Sequence, residues 1–227
     1  MKSLAMFGAV ALVASSASAA FTGFSVDRVV TAAGNTQYKI YGNWDQSNAV
    51  MLNGFNFTQM SGSLNARHED AGEDADGNPL GSWSANVNLL GVAARDNDSW
   101  VTASGSGTSG GNGTALDPSF EYPSSAGSDR SFIPVNAGWY DATPGAPNVV
   151  AAGGSQGGYR MLLMQIVRSG SGDDPIATFG FTIGWKLANT TTALFAGTGQ
   201  VITIGVPAPG AVALLGLAGL AARRRRG

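Results

Sequence analysis

The sequence predicts an all-β chain, folded as a β-sandwich or a jelly-roll-like variant of one. Three observations carry this. Glycine takes 33 of 227 positions while charged residues reach only 12%, against about 25% in an ordinary domain. Phe179, Phe181, Ile183, Trp185 and Leu187 alternate with Gly180, Thr182, Gly184 and Lys186, the period of two that marks a half-buried strand. Short apolar runs recur between turn residues along most of the chain, and no helical periodicity of useful length interrupts them. With 44% hydrophobic residues, the chain can bury a core and is not a disordered polymer.

The first element is not part of that fold. Lys2 precedes an apolar run from Leu4 to Val13, followed by Ala17-Ser18-Ala19-Ala20. A basic start, a short apolar segment and small residues at its end make a secretory signal helix over residues 1–20, to be cut by signal peptidase after Ala19 or Ala20. The run is too short to span a bilayer, which takes about 20 apolar residues.

Strands are then expected at Phe24–Ala32, Gln37–Trp44 and Ala49–Thr58, separated by turn chemistry such as Ala33-Gly34-Asn35. The stretch His68 to Asn78 is the densest acidic segment of the chain. It reads first as a solvated acidic loop. Carboxylates spaced in this way also suit Ca²⁺, which takes six to eight oxygens, and Asp70, Asp74, Asp76 and Asn78 are the residues a loose site would use. It is not an EF-hand loop: Gly72 falls at the first ligand position and Trp83 at the twelfth. The sequence asks for no other cofactor.

Further strands are expected at Ser84–Ala93, Ser99–Ala103 and Ser131–Val135, with Ser104 to Thr114 as a flexible loop of Gly, Ser, Thr and Asn inside a single sandwich. Tyr159 to Val167 is almost continuously apolar and reads as a central strand buried on both faces. Gln200–Ile204 closes the β region. Asp98-Ser99-Trp100-Val101-Thr102, Ala115 to Phe120 and Asn136-Ala137-Gly138-Trp139-Tyr140 together resemble landmarks of an uncharacterised group of exported bacterial proteins, which brings no activity with it.

Much catalytic chemistry is excluded. There is no cysteine and a single histidine, His68, so thiol catalysis, disulfides and multi-histidine metal sites are absent. Gly153-Gly154-Ser155-Gln156-Gly157-Gly158 resembles the nucleophile elbow of cutinase-type esterases, but no histidine follows Ser155 to act as its base. Glycosidase chemistry needs two carboxylates that meet in space; Asp117, Glu121, Asp141 and Asp173 are available, and no spacing selects a pair. The reading is therefore non-enzymatic. Trp44, Trp83, Trp100, Trp139 and Trp185 could stack on sugars in a carbohydrate-binding module, although core burial suits each of them better. Trp139-Tyr140 is the pair to examine for exposure.

The last element reads Val206-Pro207-Ala208-Pro209, then apolar Ala211 to Ala222, then Arg223-Arg224-Arg225-Arg226. The prolines make an extended, accessible hinge. The apolar segment makes a short transmembrane helix, and the four arginines hold its end in the cytoplasm. This three-part tail, Val206 to Gly227, closely resembles the PEP-CTERM sorting signal, with Ala208 standing where that family usually carries Glu. The resemblance implies recognition and processing by an exosortase, a membrane cysteine transpeptidase, after transient anchoring in the inner membrane. It also implies an association with exopolysaccharide at the cell surface or in the extracellular matrix. An ordinary tail anchor is the alternative.

The chain thus divides into a signal peptide (1–20), an exported β domain (21–205) and a sorting tail (206–227). Once Lys2 and the tail arginines are gone, eight cationic side chains face fifteen acidic ones, a net charge of −7. Such a domain does not seek nucleic acid.

Overall fold

The computed structural model describes residues 20–68, 83, 96–103, 113–117, 133–142, 150–151, 158–170 and 174–205. These form eleven strands: β1 (Phe21–Val30), β2 (Thr36–Trp44), β3 (Ala49–Ser61), β4 (Trp100–Val101), β5 (Thr114–Leu116), β6 (Trp139–Asp141), β7 (Val150–Ala151), β8 (Tyr159–Arg168), β9 (Ala177–Leu187), β10 (Leu194–Ala196) and β11 (Ile202–Ile204). Every pairing is antiparallel. Sheet A runs β1-β2-β8-β4, with β7 also on β8. Sheet B runs β10-β9-β3-β6-β5, with β11 also on β9. Among the described residues no helix is long and apolar enough to cross a membrane; the signal and tail helices expected from the sequence lie outside them.

The two sheets enclose one core. Sheet A contributes Tyr38, Ile40, Trp44, Met161, Leu163 and Ile166; sheet B contributes Met51, Phe57, Trp139, Phe181, Ile183 and Trp185. Alternation drives this, because every second side chain of a strand points to the same face. Aromatic rings lock the sheets together, Trp44 edge-on to Trp185 at 6.2 Å and Phe24 tilted on Phe181 at 5.0 Å between centroids. The longest strand, β3, needs three register shifts against β9. One falls at Phe55–Thr58, where Asn56 adopts a left-handed φ of 55°. The one extra residue there lets Phe57 turn inward and stack on Phe179.

The chain passes from sheet A to sheet B between β2 and β3, between β4 and β5 and between β8 and β9. The last crossing is fastened by charge. Arg168 Nη1 donates to Asp174 Oδ1 at 2.9 Å and to Pro175 O at 2.5 Å, Nε to Leu64 O at 2.8 Å and Nη2 to Ser63 O at 2.7 Å. The other oxygen of Asp174 accepts from the Tyr38 hydroxyl and from Arg28 Nε. Burial pulls the Arg168 pKa below its ordinary value, and this ring of acceptors replaces the water it lost.

Most long strands stand where the sequence placed them. From Leu163 to its end at Arg168, β8 is buried on both faces, because segment Asp98–Ser99 covers its outer side: Gln165 Nε2 donates to Asp98 O and Val167 N to Ser99 Oγ. The strand expected at Ser131–Val135 is corrected over its described residues; Ser131 and Phe132 lie outside them. Ile133 to Val135 form no strand; Ala137 N closes a turn on Pro134 O, and Asn136 takes a left-handed φ of 64°. The expected strand at Ser84–Ala93 and the flexible loop lie outside the described residues, apart from Gly113 and Thr114 at the loop's end.

Candidate functional site

All five tryptophans are core residues, so none stacks on a ligand from the surface. The Trp139-Tyr140 pair splits across the sheet: Trp139 is 1% exposed and points inward, while Tyr140 is 45% exposed and points out. That alternation directs attention to the outer face of sheet B.

Register assembles a transverse row there. Phe195 on β10 pairs with Gly184 on β9, Gly184 with Asn53 on β3, Asn53 with Tyr140 on β6, and Tyr140 with Ala115 on β5. Phe195 is 65% exposed. Three strand spacings of about 4.8 Å put roughly 14 Å between the two aromatic positions. Phe55, one row down, meets the Phe195 ring edge-on at 5.9 Å. Glycines form the floor. A Cβ at Gly184 would strike the Asn53 amide oxygen, one at Gly138 would lie 2.6 Å from Asp117 Oδ2, and one at Gly180 would lie 3.1 Å from the exposed Met60 methyl. The Asn53, Asp117 and Met60 side chains and, at 2.6 Å from the Gly180 position, the Gln200 carbonyl thus crowd these glycines, and Thr182 and Thr198 share a hydroxyl contact of 2.9 Å beside them. The result is a face with exposed aromatic rings, Phe195 and Tyr140, at its two sides; between them the Asn53 amide oxygen is buried and Thr182 is only 6% exposed.

The three sequence landmarks meet at one margin of this face. Trp139 Nε1 donates to Thr102 O at 3.0 Å, Ala103 N donates to Thr114 Oγ1 at 2.8 Å, and Asp117 N donates to Gly138 O at 2.9 Å. Segments 98–102, 115–117 and 136–140 therefore form the seam that fixes β5 and β6, and with them Tyr140.

The other candidates fall elsewhere. His68 lies 3.5 Å from Asp98 and edge-on to Trp83 at 5.0 Å. His68 and Trp83 bound the acidic segment, whereas Asp70, Asp74, Asp76 and Asn78 lie outside the described residues. So do Ser155, Glu121, Asp173, the motif Val206-Pro207-Ala208-Pro209 and Arg223 to Arg226. Asp117 and Asp141 sit on or beside β5 and β6, and among the described residues no group of three His, Cys, Asp or Glu gathers. On sheet A, Val29, Val30, Ala32, Lys39, Asp96 and Asn97 line an open groove of about 430 Å³. Elsewhere on that sheet Arg160 pairs with Asp27 at 3.0 Å and covers the Tyr41 ring at 4.1 Å. Burial pushes the Tyr41 phenol up while Arg160 opposes it.

Sequence reasoning named Tyr140 but missed Phe195, Phe55 and Asn53, since only the register brings them together. The fold defines the chain as a two-sheet antiparallel β protein. Comparison with protein-family models, curated proteins and solved structures finds no match for it.

Proposed function

We propose that this is an exported, non-enzymatic surface or extracellular-matrix protein whose β-sandwich binds polysaccharide through the outer face of sheet B. The Phe195–Gly184–Asn53–Tyr140 row carries the reading. Aromatic rings offer an apolar surface to the C–H face of a pyranose, while the hydroxyl of the exposed Tyr140 can bond the sugar's hydroxyls. A row of roughly 14 Å suits an extended chain of several sugars rather than a single one. The net charge of −7 on residues 21–205 disfavours acidic polysaccharides, so a neutral glycan is the class of choice. The signal segment delivers the domain. The tail holds it at the inner membrane until an exosortase-type transpeptidase cuts near Pro207-Ala208-Pro209.

Each half of the reading has its own test. Affinity electrophoresis against neutral β-glucans and chitin should retard the protein, and Phe195→Ala or Tyr140→Ala should each weaken binding about tenfold or more, at about 1.4 kcal/mol per decade for an exposed aromatic anchor. Unfolding free energies should stay within about 0.5 kcal/mol of wild type, because both rings are surface groups. Equal mobility of wild type and both variants would end the glycan reading. For sorting, cells lacking exosortase activity should retain the tagged chain, tail attached, in the membrane fraction. Unchanged processing in such cells refutes that route.

A further inference from the structure

We infer that signal peptidase cuts between Ala19 and Ala20, and that the α-ammonium so created is held by the Asp45 carboxylate. The inference rests on the export reading above and goes beyond it. By residue type two cuts are equivalent, since Ala17 and Ala19 precede one and Ser18 and Ala20 precede the other, and both pairs are small enough for the peptidase.

The fold distinguishes them. Ala20 N lies 2.8 Å from Asp45 Oδ1, and Asp45 N donates back to Ala20 O at 3.2 Å. This reciprocal pair continues the β1–β2 ladder by one step beyond Phe21↔Trp44. Ala20, the first of the described residues, is therefore part of the fold's hydrogen-bond ladder. A cut after Ala20 would discard both bonds, and Phe21 would become a terminus although its ring is packed edge-on against Phe24 at 5.1 Å and Trp44 at 5.5 Å. A cut after Ala19 keeps both bonds and improves one. The neutral amide donor becomes an ammonium aimed at the same oxygen, and charge-assisted bonds are shorter and stronger. Termini fray unless something ties them down. Here the tie reaches Asp45, which opens the segment carrying the chain from β2 in sheet A to β3 in sheet B.

The first experiment is intact-mass and N-terminal sequencing of the protein recovered from its host, by cell fraction. A chain starting at Ala20 is expected. A start at Phe21 overturns this inference and leaves export standing; retention of Met1 overturns the export reading and this inference with it. The second experiment tests the capture itself. Wild type and Asp45→Asn, both recovered from the host, are incubated with an aminopeptidase, and loss of the first alanine is followed by mass. Asp45→Asn keeps the side chain's size and an acceptor oxygen but removes the charge, and it should lose Ala20 several-fold faster. Equal rates would show that Asp45 does not hold the terminus.

Discussion

Asp174→Ala should lower the unfolding free energy by about 3–5 kcal/mol, the cost of removing one partner from a buried ion pair. Asp174 accepts from Arg168, Tyr38 and Arg28 at once. Its side chain is 2% exposed and that of Arg168 is 4% exposed. Without the carboxylate, the Arg168 guanidinium stays buried with only the carbonyls of Ser63, Leu64 and Pro175, and carbonyl dipoles do not neutralise a full charge. At about 2–4 °C per kcal/mol for a domain of this size, the melting temperature should drop by roughly 10 °C. Arg28→Ala is the internal control. Its side chain is 34% exposed and only Nε reaches Asp174, at 3.2 Å, so the expected loss is about 1 kcal/mol or less. Urea unfolding of both variants checks the contrast. A cost for Asp174→Ala no larger than that for Arg28→Ala would mean that the cluster does not fasten the crossing from β8 to β9.

How much of this could be read from residues alone depends on length scale. β9 was legible because the residues from Phe179 to Leu187 alternate without a break, and β8 because its apolar run exceeds what a half-buried strand carries. β5, β6 and β10 have three residues each, too few to show a period of two. β6 was hidden further by Asn136-Ala137-Gly138, which has turn chemistry and follows directly on the turn that Ala137 N closes on Pro134 O. The described part of the strand expected at Ser131–Val135 differs for the converse reason: Ile133 to Val135 form no strand, because Pro134 and the left-handed Asn136 break it. The tryptophans illustrate another limit, since composition cannot say which face of a strand a ring occupies. The aromatic face is less legible still. Phe195, Asn53 and Tyr140 are distant in sequence and adjacent only through the register of four strands. Nor did the acidic pair Asp173-Asp174 distinguish its members. Asp174 became a structural ion only because β8 ends in Arg168 and β2 presents Tyr38 to the same point.

Trp139→Ala should cost about 3–5 kcal/mol, as removal of a fully buried aromatic ring does, and should weaken glycan binding without touching the binding face. The ring packs edge-on against Phe181 at 5.1 Å, and its indole N–H donates to Thr102 O at 3.0 Å. Its loss leaves a cavity and takes from that buried carbonyl the donor the indole supplied. Tyr140 follows it directly on a strand of three residues, so slackening β6 displaces the outward ring. Gly54 provides the complementary test. It pairs with Trp139 across β3 and β6, and a Cβ there would lie 2.5 Å from the ring. Gly54→Ala should therefore cost about 1–3 kcal/mol by overpacking. The two changes act on one space, so their effects should not add. With the ring absent the new methyl has room, and the double variant should be no less stable than Trp139→Ala alone. Thermal unfolding of the four proteins measures this coupling. Strict additivity would separate Gly54 from the ring and require another cause for the glycine at that position.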